Sequence, residues 1–383
     1  DTIEVTKAAT PDMDGDAIGG TVNIRTRSAF DYGDRYISAE ATIGFSEGLD
    51  EYSSDVPVDN WFPSVDFLIS DFFDDEGTLG YTFGANYRER VYVTSEVKSR
   101  GWERPTPADP YLPTAIRFED KIRDIDEHGV FASIDWRPDA DTRLAANYSY
   151  SHKETEITRN RLDYQFGTSS TILADDGENA TELERDTFQR REASFFSEDQ
   201  DVHVFKFLGE KQLNEWKVNG VFGFNFSKFA GDPDEDFTGR VETNSPQIVK
   251  YRRGSDPFEQ IVSSSTFDAE SDIDDYYYFT NGNKGTFEIE DTEYMLSGDA
   301  ERELTLFGQA VTIKTGAKLR FRERDYEDMP NYYNGGFSLS AAKMDSIIAD
   351  YNIDNRVGGN YGSSALLHPR AFRKLVDQLI RDG

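Results

Sequence analysis

The sequence predicts an all-β chain that forms part of a transmembrane antiparallel β-barrel. Three observations lead to this fold class: apolar and polar residues alternate with a period of two, the alternating segments are long, and the connections between them are alternately short and long. Nine segments of this kind occur, and we interpret them as strands. They lie near residues 36–46, 64–73, 78–94, 127–137, 142–156, 200–211, 216–229, 292–304 and 310–325.

The alternation is clearest in residues 311–322. Apolar side chains fall on one face of this segment, and basic residues and threonine occupy the other. The apolar residues are Val311, Ile313, Ala317, Leu319 and Phe321. Most of the nine segments run for roughly 10–15 residues, whereas strands of globular sheets average about 5–6 residues and a tilted strand crosses a bilayer in about 9–11. The length therefore favours membrane-spanning strands.

The connections between the strands fall into two classes that alternate along the chain. Four are short turns, at residues 74–77, 138–141, 212–215 and 305–309. Five are long, over residues 47–63, 95–126, 157–199, 230–291 and 326–383. Outer-membrane barrels combine short periplasmic turns with long extracellular loops. A half-buried soluble sheet shows the same alternation within its strands, but it has no reason to keep every long loop at one end.

The composition narrows the classes of function. The 383 residues include 41 Lys and Arg against 73 Asp and Glu, so the formal net charge is −32. Such a surface repels phosphate and excludes a nucleic-acid-binding protein. The absence of cysteine excludes disulfides, Cys-ligated metals and a thiol nucleophile. An aromatic content of 14% argues against disorder, which the charge alone would allow.

Residues 11–26 read PDMDGDAIGGTVNIRT, with turn residues, a pair of glycines and then a short strand. This stretch resembles the end of the plug domain in TonB-dependent outer-membrane receptors, in particular the branch found in Caulobacter, sphingomonads and Xanthomonas. The resemblance implies that residues 1–30 are the C-terminal end of a plug domain. Residues 31–383 would be the first part of the barrel, with long extracellular loops. The matching motif residues are Asp14, Gly15, Gly19, Gly20 and Asn23.

The barrels of this family have about 22 strands around the plug. We therefore expect the chain to be a fragment that begins inside a longer protein and ends inside the fifth long connection. The resemblance implies energy-coupled uptake of a scarce solute across the outer membrane of a Gram-negative bacterium. TonB, with ExbB and ExbD, would act through a region upstream of this chain, and outer-membrane lipids would surround the barrel. Neither a cofactor nor an enzymatic activity is implied.

The acidic loops favour a neutral or cationic solute, because a focused negative potential repels anions. We expect an oligosaccharide before a ferric siderophore or cobalamin. A passive porin-like channel and a soluble acidic β-protein are the alternatives. Aromatic rings in the predicted loops could stack on a sugar, although they also suit loop packing or the aromatic girdle of a barrel. These candidate ligand-binding residues are Trp61, Trp102, Tyr276, Tyr277, Tyr278, Tyr332 and Tyr333.

The spacing of residues indicates no metal site and no catalytic motif. Two Asp-x-Asp-x-Asp stretches, starting at Asp12 and Asp232, lack the glycine that a calcium loop needs at its sixth position. The four histidines are scattered along the sequence without a partner at metal-ligand spacing. They are His128, His152, His203 and His368.

The last part of the chain has the period of a helix. Phe372, Leu375, Val376, Leu379 and Ile380 share one face, and basic residues occupy the opposite face. A basic amphipathic helix can lie on a membrane surface. We expect instead a small helix packed within the fifth long connection.

Overall fold

The computed structural model describes residues 2–6, 21–25, 27–45, 61–231, 237–243, 246–253, 260–263, 278–347 and 367–382. Their strands are β1 (Thr2–Thr6), β2 (Thr21–Arg25), β3 (Tyr36–Phe45), β4 (Trp61–Phe72), β5 (Leu79–Glu103), β6 (Leu112–Asp139), β7 (Thr142–Asp175), β8 (Ala180–Leu213), β9 (Trp216–Gly231), β10 (Phe237–Glu242), β11 (Gln247–Arg253), β12 (Gln260–Ser263), β13 (Tyr278–Leu306) and β14 (Gln309–Ser338). Their helices are α1 (Ala29–Tyr32), α2 (Ala341–Asp345) and α3 (Pro369–Asp382). The all-β class is therefore confirmed.

Nine long strands form a meander in which each strand pairs antiparallel with the next. Their order is β3, β4, β5, β6, β7, β8, β9, β13 and β14. These are the nine strands that the alternation predicts. Within the residues just given, no pairing joins β3 to β14, so the sheet is an open antiparallel sheet of the barrel type. β1 and β2 pair with each other in a separate sheet.

Three short strands extend the sheet at the end away from the turns. β10 pairs with both β8 and β13, beyond the point where β9 ends, and so takes over the position of β9 between them. β11 pairs with the next part of β8, and β12 pairs with β11. The connection over residues 230–291, predicted as one long loop, therefore contains several strand segments.

The four short turns are confirmed, and two of them show what fixes their shape. In the turn between β4 and β5, the Asp74 carboxylate accepts hydrogen bonds from the backbone N–H groups of Thr78 and Leu79, at 3.0 and 2.8 Å. Between β13 and β14, Phe307 and Gly308 both have positive φ. Positive φ at both central residues is the geometry of a type I′ hairpin turn, which matches the twist of paired strands.

The long connections that follow β5 and β7 are mainly strand. β5 runs to Glu103, β6 starts at Leu112, and β7 and β8 are each 34 residues long. The prediction of loops over residues 95–126 and 157–199 is therefore wrong. Charged residues interrupt the apolar rhythm there, and pairs of opposite charge on neighbouring strands stabilise this part of the sheet. β14 likewise continues to Ser338, into the region predicted as the fifth long connection.

The two faces of the meander differ near the turns. Tyr81 of β5 lies opposite Ile134 of β6, and the next residues along, Thr82 and Ser133, are opposite each other on the other side. We call the first side the belt face and the second the polar face. Because side chains alternate along a strand, both names apply along a whole strand wherever the pairing has no bulge.

The short helix α1 packs on the polar face at the turn end of β4 and β5. The ring of Phe30 meets Phe72 edge-on, with 5.1 Å between centroids, and the guanidinium of Arg137 lies 3.8 Å from the centre of the Phe30 ring. Phe72 is an even-numbered residue of β4 and so shares the polar face with Ser70. The chain that leads into β3 therefore reaches the sheet from its polar side.

We expect Gly80→Ala to weaken the docking of α1. A Cβ atom on Gly80 would lie 2.5 Å from the Cβ of Ala29, which is too close for two carbons, so the helix would have to shift. Overpacking of this kind costs about 1–3 kcal/mol. The measurement is the free energy of unfolding in urea. Gly84→Ala is the matched control, because its Cβ would be in ordinary contact, 3.5 Å from the nearest atom. Equal stability of the two variants would contradict the packing described.

The helix predicted from the apolar face of residues 372–380 is α3, and it packs against the sheet. Phe372 and Val376 are buried in a cluster with Phe237 and Val241 of β10. The expectation of a packed helix is therefore confirmed. Among the residues that the structure describes, no helix is long and apolar enough to cross a membrane.

Candidate membrane-facing belt and charged polar face

Apolar side chains form continuous rows across the belt face. One row takes a residue from each of seven neighbouring strands: Tyr81, Ile134, Ala146, Phe207, Phe222, Leu296 and Leu319. The next row consists of Phe83, Ala132, Tyr148, Phe205, Phe224, Tyr294 and Phe321. β3 and β4 contribute Ile37, Ala39, Ala41, Ile43, Val65 and Phe67 on the same face. We call these residues the apolar belt.

The apolar belt is exposed as well as apolar. Leu296 is 57% exposed, Phe321 is 68% exposed and Ile43 is 70% exposed. At about 4.8 Å between neighbouring strands, nine strands make the belt roughly 40 Å wide. Soluble monomers rarely expose a contiguous apolar patch of this size, and larger patches mark contact with a membrane or another protein.

Aromatic rings contact each other from strand to strand within the apolar belt, with their planes tilted by about 33–42°. The ring centroids of Tyr148 and Phe205 are 4.5 Å apart, those of Phe205 and Phe224 are 5.9 Å apart, and those of Phe224 and Tyr294 are 5.0 Å apart. Such pairs contribute about 0.5–1.5 kcal/mol each beyond the area that they bury. They stabilise the pairing of β7, β8, β9 and β13, although no other part of the described chain packs on these rings.

The polar face directly behind the apolar belt is lined with hydroxyls and amides. The Ser70 hydroxyl lies 2.9 Å from that of Thr82, and the Ser133 hydroxyl donates to the Asn147 side-chain oxygen at 2.7 Å. These four residues form one cross-strand row through β4, β5, β6 and β7. An apolar outer band around a polar interior is the arrangement of a transmembrane barrel.

Two tryptophans proposed as ligand-binding residues lie in strands rather than loops. Trp61 is the first residue of β4, on the belt face, and its ring lies 4.8 Å from that of Phe45. Trp102 lies near the far end of β5, well beyond Arg88, the last residue that pairs β5 with β4. The structure therefore does not bring the two rings together, and the position of Trp61 suits an interface girdle.

The other candidate residues are described only in part. The backbones of Tyr278, Tyr332 and Tyr333 belong to β13 and β14, where Tyr332 is opposite Asn283 and Tyr333 is opposite Gly282. Asn23 lies in β2 opposite Glu4. The remaining candidates fall outside the described residues. They are Asp14, Gly15, Gly19, Gly20, Tyr276 and Tyr277.

Beyond the apolar belt, the polar face holds a buried charge network that sequence reasoning missed. Glu119, Arg161, Glu192 and Arg240 are in line across β6, β7, β8 and β10. Arg161 pairs with Glu119 and, at 2.5 Å, with Glu192, which also pairs with Arg240. Arg159 lies 3.1 Å from Glu192. We call these five residues the charge network. The alternation of charged with apolar residues at 116–123 is the sequence feature that could have indicated a strand with a charged face there.

Burial and pairing shift the pKa values within the charge network. Burial alone would raise the pKa of Glu119, but hydrogen bonds and charges from Lys121 and Arg161 outweigh it and lower that pKa to about 2. Burial, reinforced by the Arg161 charge, lowers the pKa of Arg159 to about 10. A carboxylate with a lowered pKa stabilises the fold above its unfolded value, near 4.5, and this contribution is lost as the pH falls toward 2.

The next row of the polar face repeats this pairing. The Arg117 guanidinium donates to both carboxylate oxygens of Asp163, at 2.6 and 2.8 Å, and Arg190 donates to Glu242 at 2.6 Å. The pKa of Arg117 is raised by its hydrogen bonds to Asp163. Because each charge in these rows has an opposite partner, the arrangement suits rigid strand pairing better than catalysis.

Three side chains on β7 and β8 lie close enough together to bind a metal ion. A ring nitrogen of His152 and one carboxylate oxygen from each of Glu154 and Asp199 lie within 4.8 Å of one another. His152 and Glu154 are two residues apart in the sequence, but Asp199 lies far from both. The spacing of the histidines therefore did not indicate the group. The pairing of β7 with β8 creates the group.

Comparison with known proteins identifies no relative of the chain. No protein-family model, no curated protein and no solved structure matches the chain. The case for function therefore depends on the geometry of the two faces.

Proposed function

We propose that the chain is part of a TonB-dependent outer-membrane receptor that takes up a scarce solute, with an oligosaccharide as the first candidate. The observation on which this depends is the apolar belt: a two-row band of exposed apolar side chains on one face of a nine-strand meander, backed by a polar face. The band suits the lipid of an outer membrane, and the polar face suits the inside of a barrel.

Two further features support the proposal. The connections at one end of the meander are turns of a few residues, while β5 to β8 extend far beyond the apolar belt at the other end. The segment before β3 docks through α1 on the polar face, which is where a chain arriving from a plug inside the barrel would enter. The resemblance of residues 11–26 to a plug end supplies the link to TonB.

The charge of the protein supports a neutral or cationic solute. Its net charge of −32 creates a potential that repels anions from the outer surface. An oligosaccharide meets this condition without a counterion. A ferric siderophore or cobalamin receptor is the alternative within the same class of protein.

Uptake by a deletion strain tests the proposal. A strain lacking the complete protein is grown on limiting concentrations of single oligosaccharides and single iron sources. We expect loss of growth on one oligosaccharide, and the same loss in a strain without TonB or in wild-type cells treated with an uncoupler. Growth that needs the protein but neither TonB nor the proton-motive force would instead identify a passive channel. Recovery of the protein in aqueous buffer without detergent would contradict both membrane functions.

A further inference from the structure

A row of carboxylates crosses the belt face just beyond the apolar belt. It takes one residue from each of six strands: Glu89, Asp126, Glu154, Asp199, Glu288 and Glu327. Only Ala230 of β9 interrupts it. We call these six residues the acidic row. Like charges directly opposite each other on neighbouring strands destabilise their pairing, and at Glu288 the ammonium of Lys228, 2.9 Å from the carboxylate, offsets this repulsion.

The acidic row acquires metal-binding geometry at one place. His152 and Glu154 are two residues apart on β7 and so point to the same face. Asp199 of β8 is directly opposite Glu154, and Asp201 is directly opposite His152. The ligand atoms of His152, Glu154 and Asp199 lie within 4.8 Å of one another, which is close enough for a single ion to bind all three after small side-chain movements.

The imidazole of His152 is already oriented. Its Nδ1 lies 3.0 Å from a carboxylate oxygen of Asp201, so the Nδ1–H can donate to that carboxylate. A carboxylate that accepts from one ring nitrogen fixes the tautomer and makes the other nitrogen a better ligand, and metal-binding histidines almost always have such a partner. The side chain of His152 is one-fifth exposed, so an ion could reach it from outside.

We propose that His152, Glu154 and Asp199 bind a divalent transition-metal cation, with Asp201 as the residue that positions His152. One imidazole and two carboxylates are a suitable set for Zn²⁺, which accepts nitrogen and oxygen ligands together, whereas Ca²⁺ and Mg²⁺ prefer oxygen alone. The ion joins β7 to β8 at the outer border of the apolar belt. This site is independent of the proposed uptake function, so either can fail without the other.

Zinc titration of the complete protein tests the site. The protein is purified in detergent, stripped of metal and titrated with ZnCl₂ by calorimetry. We expect one bound Zn²⁺ per chain, and binding weakened by about tenfold or more in His152→Asn and in Glu154→Gln. Millimolar Ca²⁺ should leave the affinity for Zn²⁺ within about twofold, because the imidazole selects against Ca²⁺.

The matched control is Glu288→Gln, which removes one charge from the same acidic row on a different strand. It should leave Zn²⁺ binding within about twofold of the unaltered protein, because Glu288 lies on β13 and its direct partner is Lys228, 2.9 Å away, rather than any of the proposed zinc ligands. Equal losses in Glu154→Gln and Glu288→Gln, displacement of Zn²⁺ by Ca²⁺, or no saturable binding would overturn the proposal. Retained heat-modifiable mobility on gels shows that each variant is folded. If His152→Asn does not fold, Glu154→Gln decides the question.

Discussion

Leu296→Arg is expected to abolish or strongly impair insertion of the protein into lipid vesicles. Leu296 lies in a central row of the apolar belt and is more than half exposed there. An arginine on the lipid face at the middle of a bilayer costs about 2–4 kcal/mol. The measurement is the folded fraction after dilution from urea into phospholipid vesicles, read from the shift in gel mobility without heating.

The neighbouring residue provides the control for this prediction. Ser297 follows Leu296 on β13 and, by alternation, faces the polar side, where it is opposite Lys318 and Val221. Ser297→Arg adds the same charge to the same strand, and we expect it to insert with a much higher yield than Leu296→Arg, because a like-charge pair with Lys318 costs only about 0.2–1 kcal/mol. If the two arginine variants insert equally well, the belt face does not meet lipid and the membrane function fails.

Glu192→Gln is expected to lower the free energy of unfolding by about 3 kcal/mol or more. Glu192 is almost fully buried and pairs with Arg159, Arg161 and Arg240. Removing its charge leaves three guanidinium groups without that partner, and breaking a buried ion pair from one side typically costs about 3–5 kcal/mol. Urea unfolding of the refolded protein in detergent measures the change.

An exposed ion pair on the same part of the sheet is the control. Glu96 and Lys98 lie two residues apart on β5, 2.7 Å between charged atoms, and both side chains are close to half exposed. Pairs of this kind contribute about 0–1 kcal/mol. We therefore expect Glu96→Gln to change stability much less than Glu192→Gln. Comparable losses would show that burial of the charge network does not govern its contribution.

The sequence predicts the strands well where apolar and polar residues alternate regularly. It predicts them poorly where charged residues occupy positions on the apolar face. Val311 to Phe321 alternate in the plain pattern, and their strand is found where expected. Ile116, Phe118 and Ile122 alternate with charged residues, but the apolar face also carries Asp120, Asp124 and Asp126, and the segment is therefore predicted as loop. Its pairing with β7 is supported by ion pairs between the two strands, Arg117 with Asp163 and Glu119 with Arg161, which a single segment does not reveal.

The functional candidates show the same limit. Trp61 is predicted in the first long connection, because the alternation indicates a strand only from about residue 64, whereas the structure places Trp61 in β4, opposite Phe45 of β3. The group of His152, Glu154 and Asp199 exists only because β7 and β8 pair in one register, and a shift of one residue would move each side chain to the opposite face. The residue types are visible in the sequence, but the register is not.

The length of β7 and β8 has a mechanical consequence. At about 3.3 Å per residue, a strand of 34 residues is roughly 110 Å long, whereas about 9–11 residues suffice to cross a bilayer. Most of this hairpin would stand clear of any bilayer around the apolar belt. Ion pairs such as that of Arg161 with Glu192 join the two strands over this part, so we expect the hairpin to be a rigid projection that keeps its tip at a fixed distance from the apolar belt.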